Sequence, residues 1–256
     1  MNEKLQAFER LLNIMDELRA KCPWDQKQTI ESLRHLTIEE TYELADAIIE
    51  NDLTDVKKEL GDILLHIVFY AKIASETNHF DIADVINGLC EKLIFRHPHV
   101  FGDVSVQDSD EVKANWEDLK IKEGNKSILA GVPKTLPALV KANRVQDKVR
   151  SVGFDWDERS QIWDKVKEEL GELQVEIEKQ DKERMEAEFG DLLFSMVNAA
   201  RLYDIDPEMA LERTNKKFIK RFNYLEEHTI KQGRSLRDMT LDQMNEIWEQ
   251  AKKFDK

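Results

Sequence analysis

The sequence predicts an all-α protein made of two tandem copies of one helical unit, and three observations lead there. Glycine and proline together supply 14 of 256 residues, roughly half their usual share, which leaves too few turn-formers for a many-stranded β fold. Apolar residues recur every three or four positions, as in Ile162, Val166, Leu170, Leu173 and Ile177, the period of an amphipathic helix. A block of acidic residues in the first half returns in the second at a fixed distance, the mark of a duplicated unit.

The elements follow in chain order. Glu39-Glu40-x-x-Glu43 precedes Glu59-Leu60-Gly61-Asp62, and Glu168-Glu169-x-x-Glu172 precedes Glu188-Phe189-Gly190-Asp191; every acid is displaced by 129 positions from its counterpart. Flanking matches continue with small changes of offset: Trp24-Asp25 with Trp156-Asp157, Lys92 and Arg96 with Lys217 and Arg221, Trp116-Glu117 with Trp248-Glu249. Val56, Leu60, Ile63, Leu64 and Ile67 in the first copy, and Phe189, Leu192, Leu193, Met196 and Val197 in the second, continue the helical period. Each block therefore reads as an antiparallel helical hairpin, turning near Asn51-Asp52 and near Gln180-Asp181. Gly124, Gly131, Pro133 and Pro137 interrupt the periodicity between the copies. The expected domains are 1–122 and 138–256, with a linker at 123–137.

Composition excludes several functions. A formal charge of -14 opposes the phosphate backbone of duplex nucleic acid. Cys22 and Cys90 form no C-x-x-C pair, and the first 18 residues carry four acids rather than an apolar signal core, so a reduced, cytoplasmic setting is expected. The apolar run Ile63 to Ala74 is too short to span a bilayer. There is no P-loop, and Val166 to Gly171 fits only part of a Nudix box.

The acid spacing has a geometric meaning. Residues equidistant from a hairpin turn sit at one height, and 172 with 188, like 169 with 191, centre on 180; 43 with 59 and 40 with 62 centre on 51. Acids three apart share a helix face. Glu169, Glu172, Glu188 and Asp191 should therefore converge, as should Glu40, Glu43, Glu59 and Asp62. Four unpaired carboxylates repel one another, and a divalent cation relieves this. An oxygen-only set favours Mg²⁺, with Mn²⁺ as substitute, and because the fourth residue of these motifs is Glu or Asp where a di-iron site needs His, di-iron chemistry is disfavoured. Glu39 and Glu168 are candidates to hold a second metal or to orient a water as base. Helix-interior Gly61 and Gly190 suggest close packing or function.

Carboxylate-held Mg²⁺ commonly meets phosphate, which also attracts Lys and Arg. Lys165 precedes Glu169 by one turn, and Lys217 and Arg221 lie one turn apart; the first copy keeps Lys92 and Arg96 but has Leu36 in the place of Lys165. Trp156 and Trp248 are candidates to stack on a base, although tryptophan serves more often in cores and interfaces.

These blocks, together with Cys22-Pro23-Trp24-Asp25, Arg96-His97-Pro98-His99-Val100-Phe101 and Val152-Gly153-Phe154-Asp155-Trp156, closely resemble the bacterial MazG nucleoside triphosphate pyrophosphohydrolases across essentially the whole chain. The resemblance implies an all-α NTP pyrophosphatase fold, a homodimer, and Mg²⁺-dependent conversion of ribo- and deoxynucleoside triphosphates to monophosphate and pyrophosphate. It gives Glu169, Glu172, Glu188 and Asp191 as metal ligands in a catalytic second copy, with Lys165, Lys217 and Arg221 on phosphates. Glu168 joins the catalytic set and Trp248 the substrate-binding set. The apolar stripe left on each hairpin is what a second subunit would cover, completing a four-helix bundle. Two rivals stay open: a narrower activity on dCTP or dUTP, and a regulatory module that binds nucleotide or metal without turnover.

Overall fold

A computed structural model of the protein describes residues 2–106 and 127–254, together with Asp108, Glu111, Val112, Asn115, Trp116 and Leu119. Every regular element among the described residues is helical. The chain divides into two compact units, 1–107 and 108–256. The expected linker begins outside the described residues, as does Glu117; from 127 onward it holds a single 3-10 turn, Ile128–Gly131.

In the first unit α1 (Glu3–Lys21) leads to the hairpin of α2 (Ile30–Glu50) and α3 (Leu53–Ser75), followed by α4 (Ile82–Arg96) and the short α5 (Pro98–Phe101). Asn51 makes the hairpin turn at φ 56°, a left-handed conformation that asparagine tolerates better than most residues. Asp52 then caps α3, accepting from the Thr54 and Asp55 amides. Met15, Leu33, Val68 and Phe69 form the core, with Leu36 and Tyr70 packed against it.

The second unit contains α6 (Ala138–Arg150), the hairpin of α7 (Gln161–Lys179) and α8 (Lys182–Leu202), α9 (Pro207–Glu227) and α10 (Leu241–Ala251). Gln180 repeats the left-handed turn at φ 59° and Asp181 repeats the cap, so the duplication extends to backbone conformation. The buried core cluster is smaller, Ile162, Ala199 and Leu202 with Val166 against it. Leu60, Leu64 and Ile67 on α3, and their counterparts Phe189, Leu193 and Met196 on α8, are exposed. Each hairpin thus leaves one apolar stripe uncovered within the chain. A Cβ added at Gly61 or Gly190 would meet nothing within 4 Å, so packing inside the chain does not require glycine at either place.

Candidate active site

Each hairpin gathers its acids as the symmetric spacing requires. One carboxylate oxygen from each of Glu169, Glu172 and Glu188 lies within 4.8 Å of the other two, and the same holds for Glu40, Glu43 and Glu59. Asp62 and Asp191 are outside these tightest groups but close enough to act on them. Burial first, then Asp62, Glu43, Glu59 and Glu39, push the Glu40 carboxyl up. Burial, Glu172, Asp191, Glu169 and Glu176 do the same to Glu188. Such mutual repulsion disfavours full ionisation of a bare cluster.

The two clusters differ in the cation they hold. In the second unit Lys165 Nζ lies 2.7 Å from Glu169 Oε1 and 2.9 Å from Glu168 Oε1. These bonds, Glu169's first, hold its ammonium protonated well above the usual lysine range. In the first unit Leu36 is core, and Lys58 reaches Glu59 Oε1 at 2.9 Å instead. Position 58 corresponds to Ala187 in the second copy. Glu59 and Glu169 are each buried with Oε2 lacking any hydrogen-bond partner, an arrangement native proteins rarely leave unfilled.

Arg221 lies over the Trp248 ring at 5.6 Å, and Phe218 packs against the same ring at 5.0 Å. Lys217 is exposed on α9. None of these residues lines the cavity that Lys165, Glu169 and Asp191 share with Trp156. Trp248 is therefore packed by its own neighbours, whereas Trp156 borders the acid cluster's cavity.

Sequence reasoning missed several residues. Glu176 is buried beside the cluster, with Lys179 Nζ 2.7 Å from Oε1 and Oε2 unpartnered. Its position one turn beyond Glu172 was the available signal, but its counterpart is Ala47, so the repeat did not display it. Arg201 is also buried, donating to Asp155 Oδ2 at 3.1 Å and to Asn198 Oδ1 through Nε at 3.0 Å. Burial opposes the Asp155 charge, but the Arg201 hydrogen bonds, the Trp156 amide and nearby Arg150 outweigh it and hold the carboxyl below its ordinary value.

Tandem helical hairpins, each with an acid cluster across its two helices, define the class of protein. A family model described as the MazG nucleotide pyrophosphohydrolase domain matches residues 28–101 and again 158–225. The chain is 45% identical over 257 residues to a Thermotoga maritima protein named nucleoside triphosphate pyrophosphohydrolase/pyrophosphatase MazG, covering 98% of both. It is 41% identical over 258 residues to the Escherichia coli K12 nucleoside triphosphate pyrophosphohydrolase, covering 97% of this chain and 98% of that one. A crystal structure of a mazG-related protein from Thermotoga maritima superimposes on 44% of the chain and 98% of its own length, with 32% identity and a TM-score of 0.40. The chain belongs to the MazG nucleotide pyrophosphohydrolase family.

Proposed function

We propose that the chain hydrolyses nucleoside triphosphates, ribo and deoxy, between the α and β phosphates, releasing monophosphate and pyrophosphate, with Mg²⁺ or Mn²⁺ held in the second unit. The observation that carries this reading is the Glu169, Glu172 and Glu188 cluster with Lys165 against it. The donor set suits a hard divalent ion, since it offers oxygen only and Glu169 Oε2 is buried without a partner. Such an ion supplies charge neutralisation for phosphate oxygens and a lowered pKa for water.

The residues of the chain supply the rest. Glu169, Glu172 and Glu188, with Asp191 a turn further along α8, hold the cation. Lys165 exchanges its contacts with Glu168 and Glu169 for a phosphate oxygen. This frees the exposed Glu168 carboxylate to take a proton from the attacking water. Lys217 and Arg221 provide further positive charge for the leaving pyrophosphate, and Trp248 holds Arg221 in place.

The first unit keeps Glu40, Glu43, Glu59 and Asp62, and on this reading it holds a divalent cation too. Leu36 in the place of Lys165 favours a binding role without turnover there. The exposed stripes favour a homodimer, and the two free cysteines favour a reducing, cytoplasmic setting. Among the described residues no helix is long and apolar enough to cross a membrane. Product analysis with Mg²⁺ tests the reading: pyrophosphate and monophosphate are expected in equal amounts. Orthophosphate as the first product would refute the bond assignment. Neutralising each unit's acids separately assigns the turnover.

A further inference from the structure

The second unit contains a cavity of about 460 Å³ at the edge of its acid cluster, a size typical of small-molecule sites. Val145, Val149, Trp156 and Ile162 give it apolar walls, and Lys165, Glu169 and Asp191 line the side that meets the cluster. Two amide side chains also line it, and each is held by one end only. Gln146, buried on α6, donates from Nε2 to the Phe194 carbonyl at 2.9 Å, which leaves Oε1 as a buried acceptor with no partner. Asn198 on α8 accepts on Oδ1 from Arg201 Nε at 3.0 Å and Nη2 at 2.7 Å. Guanidinium nitrogens only donate, so this contact fixes the Asn198 amide and leaves its Nδ2 group as a donor. Arg201 is itself anchored to Asp155.

The first unit shows that neither the fold nor the acid cluster needs this cavity. Its hairpin keeps Glu40, Glu43, Glu59 and Asp62, yet Phe69, buried in the core, stands where the second unit has Asn198. His66 replaces Ser195, and Leu36 replaces Lys165. The second unit combines the phosphate-seeking lysine with an apolar cavity carrying one oriented acceptor and one oriented donor, whereas the cavity beside Glu43 and Glu59 in the first unit is lined by charged side chains.

We propose that Gln146 and Asn198 read the edge of the nucleobase, a reading that rests on the nucleotide hydrolysis proposed above. Gln146 Oε1 accepts from an amino or ring N–H, and Asn198 Nδ2 donates to a ring nitrogen or carbonyl. The base lies between the apolar walls while its phosphates reach the cluster. Both residues act on substrate selection, since neither is placed to touch the reacting phosphorus.

Asn198→Asp tests this with little change of shape, because Arg201 keeps its acceptor while the donor facing the cavity becomes an acceptor. Cytidine and uridine triphosphates differ mainly by exchanging donor and acceptor on one edge. The ratio of their kcat/KM values should therefore shift at least about tenfold from wild type, mainly through KM. Gln146→Met, on a different helix, should raise KM for nucleotides by about tenfold and serves if the first variant does not fold. Inhibition by inorganic tripolyphosphate, which has no base, should stay within about twofold of wild type in both variants if the phosphate site is intact. By calorimetry, wild-type protein with Mg²⁺ should bind cytidine monophosphate more tightly than ribose 5-phosphate, and the variants should narrow that gap. An unchanged cytidine to uridine ratio in a folded variant, or equal loss of tripolyphosphate and nucleotide affinity, overturns the proposal while leaving nucleotide hydrolysis standing. Wild-type protein that releases no pyrophosphate from any nucleotide instead overturns the hydrolytic reading itself.

Discussion

Replacing Glu172 by Gln separates a metal cluster from an ordinary acidic helix face. Glu172 is exposed and, among the described residues, makes no hydrogen bond or ion pair, so the isosteric change removes charge and little else. Its carboxylate lies within 4.8 Å of both Glu169 and Glu188. At that distance each like-charged pair repels by about 0.9 kcal/mol in water and about 3.5 kcal/mol at an effective dielectric near 20. Exposure places Glu172 near the lower figure, and Lys165 offsets part of it, so metal-free Glu172→Gln should gain about 1–2 kcal/mol. For a unit of this size that raises the melting midpoint by roughly 3–6 °C. Wild-type protein at a Mg²⁺ concentration 100 times its Kd should gain about 2.7 kcal/mol, and the variant should lose most of that response. Pyrophosphate release should fall at least about 100-fold. Scanning calorimetry with chelator and with Mg²⁺, beside a product assay, measures all three. A midpoint several degrees lower without metal, or an undiminished response to Mg²⁺, would refute the cluster argument.

Three further outcomes follow from the structure. Asp155→Asn weakens the charge-assisted hydrogen bonds from buried Arg201 and should destabilise the second unit by about 1.5–3 kcal/mol in urea unfolding. Because the Asp155 pKa is depressed on folding, its contribution is complete above the ordinary value of 3.8 and is lost as pH falls through the depressed one. Wild type should therefore lose this advantage over the variant only in strong acid, and an advantage that persists there counts against the pair. His66 is buried in the first unit with Nδ1 unpartnered, and burial, opposed by Asp62, lowers its pKa. The unfolded chain then takes up the proton first, so stability is full above 6.5 and falls as pH drops through the lowered value. His66→Leu should flatten that slope in urea titrations across mildly acidic pH, and an unchanged slope removes His66 as its source. Leu193→Glu puts a charge on the exposed stripe of α8. If a second copy covers that stripe, burial of about 2 kcal/mol per leucine is lost twice across a symmetric interface. Sedimentation should then show monomers at concentrations where wild type is dimeric, and an undisturbed dimer means the interface lies elsewhere.

How far the sequence carried the site is clearest from its acids. Glu40, Glu43 and Glu59, like Glu169, Glu172 and Glu188, were legible because hairpin geometry turns symmetric spacing into spatial proximity, and the duplication displayed the pattern twice. The left-handed turns at Asn51 and Gln180 fall where the apolar period breaks, for the same local reason. Glu176, Gln146 and Asn198 have no counterpart of like chemistry in the first copy, so recurrence could not mark them.

The sequence by itself determined the helices, the duplication and the pairing of acids across each hairpin, because these depend on periodicity and on distance along the chain. Only the tertiary structure decided that the second copy opens an apolar cavity beside its acids, while the cavity at Glu43 and Glu59 in the first is polar. That outcome depends on side-chain volume where three helices meet: Phe69 and Leu36 pack into the core in one unit, while Asn198 and Lys165 line an open space in the other. The way Arg201 and the Phe194 carbonyl orient two amides into that cavity is likewise a property of packed neighbours, and linear spacing carries no record of it.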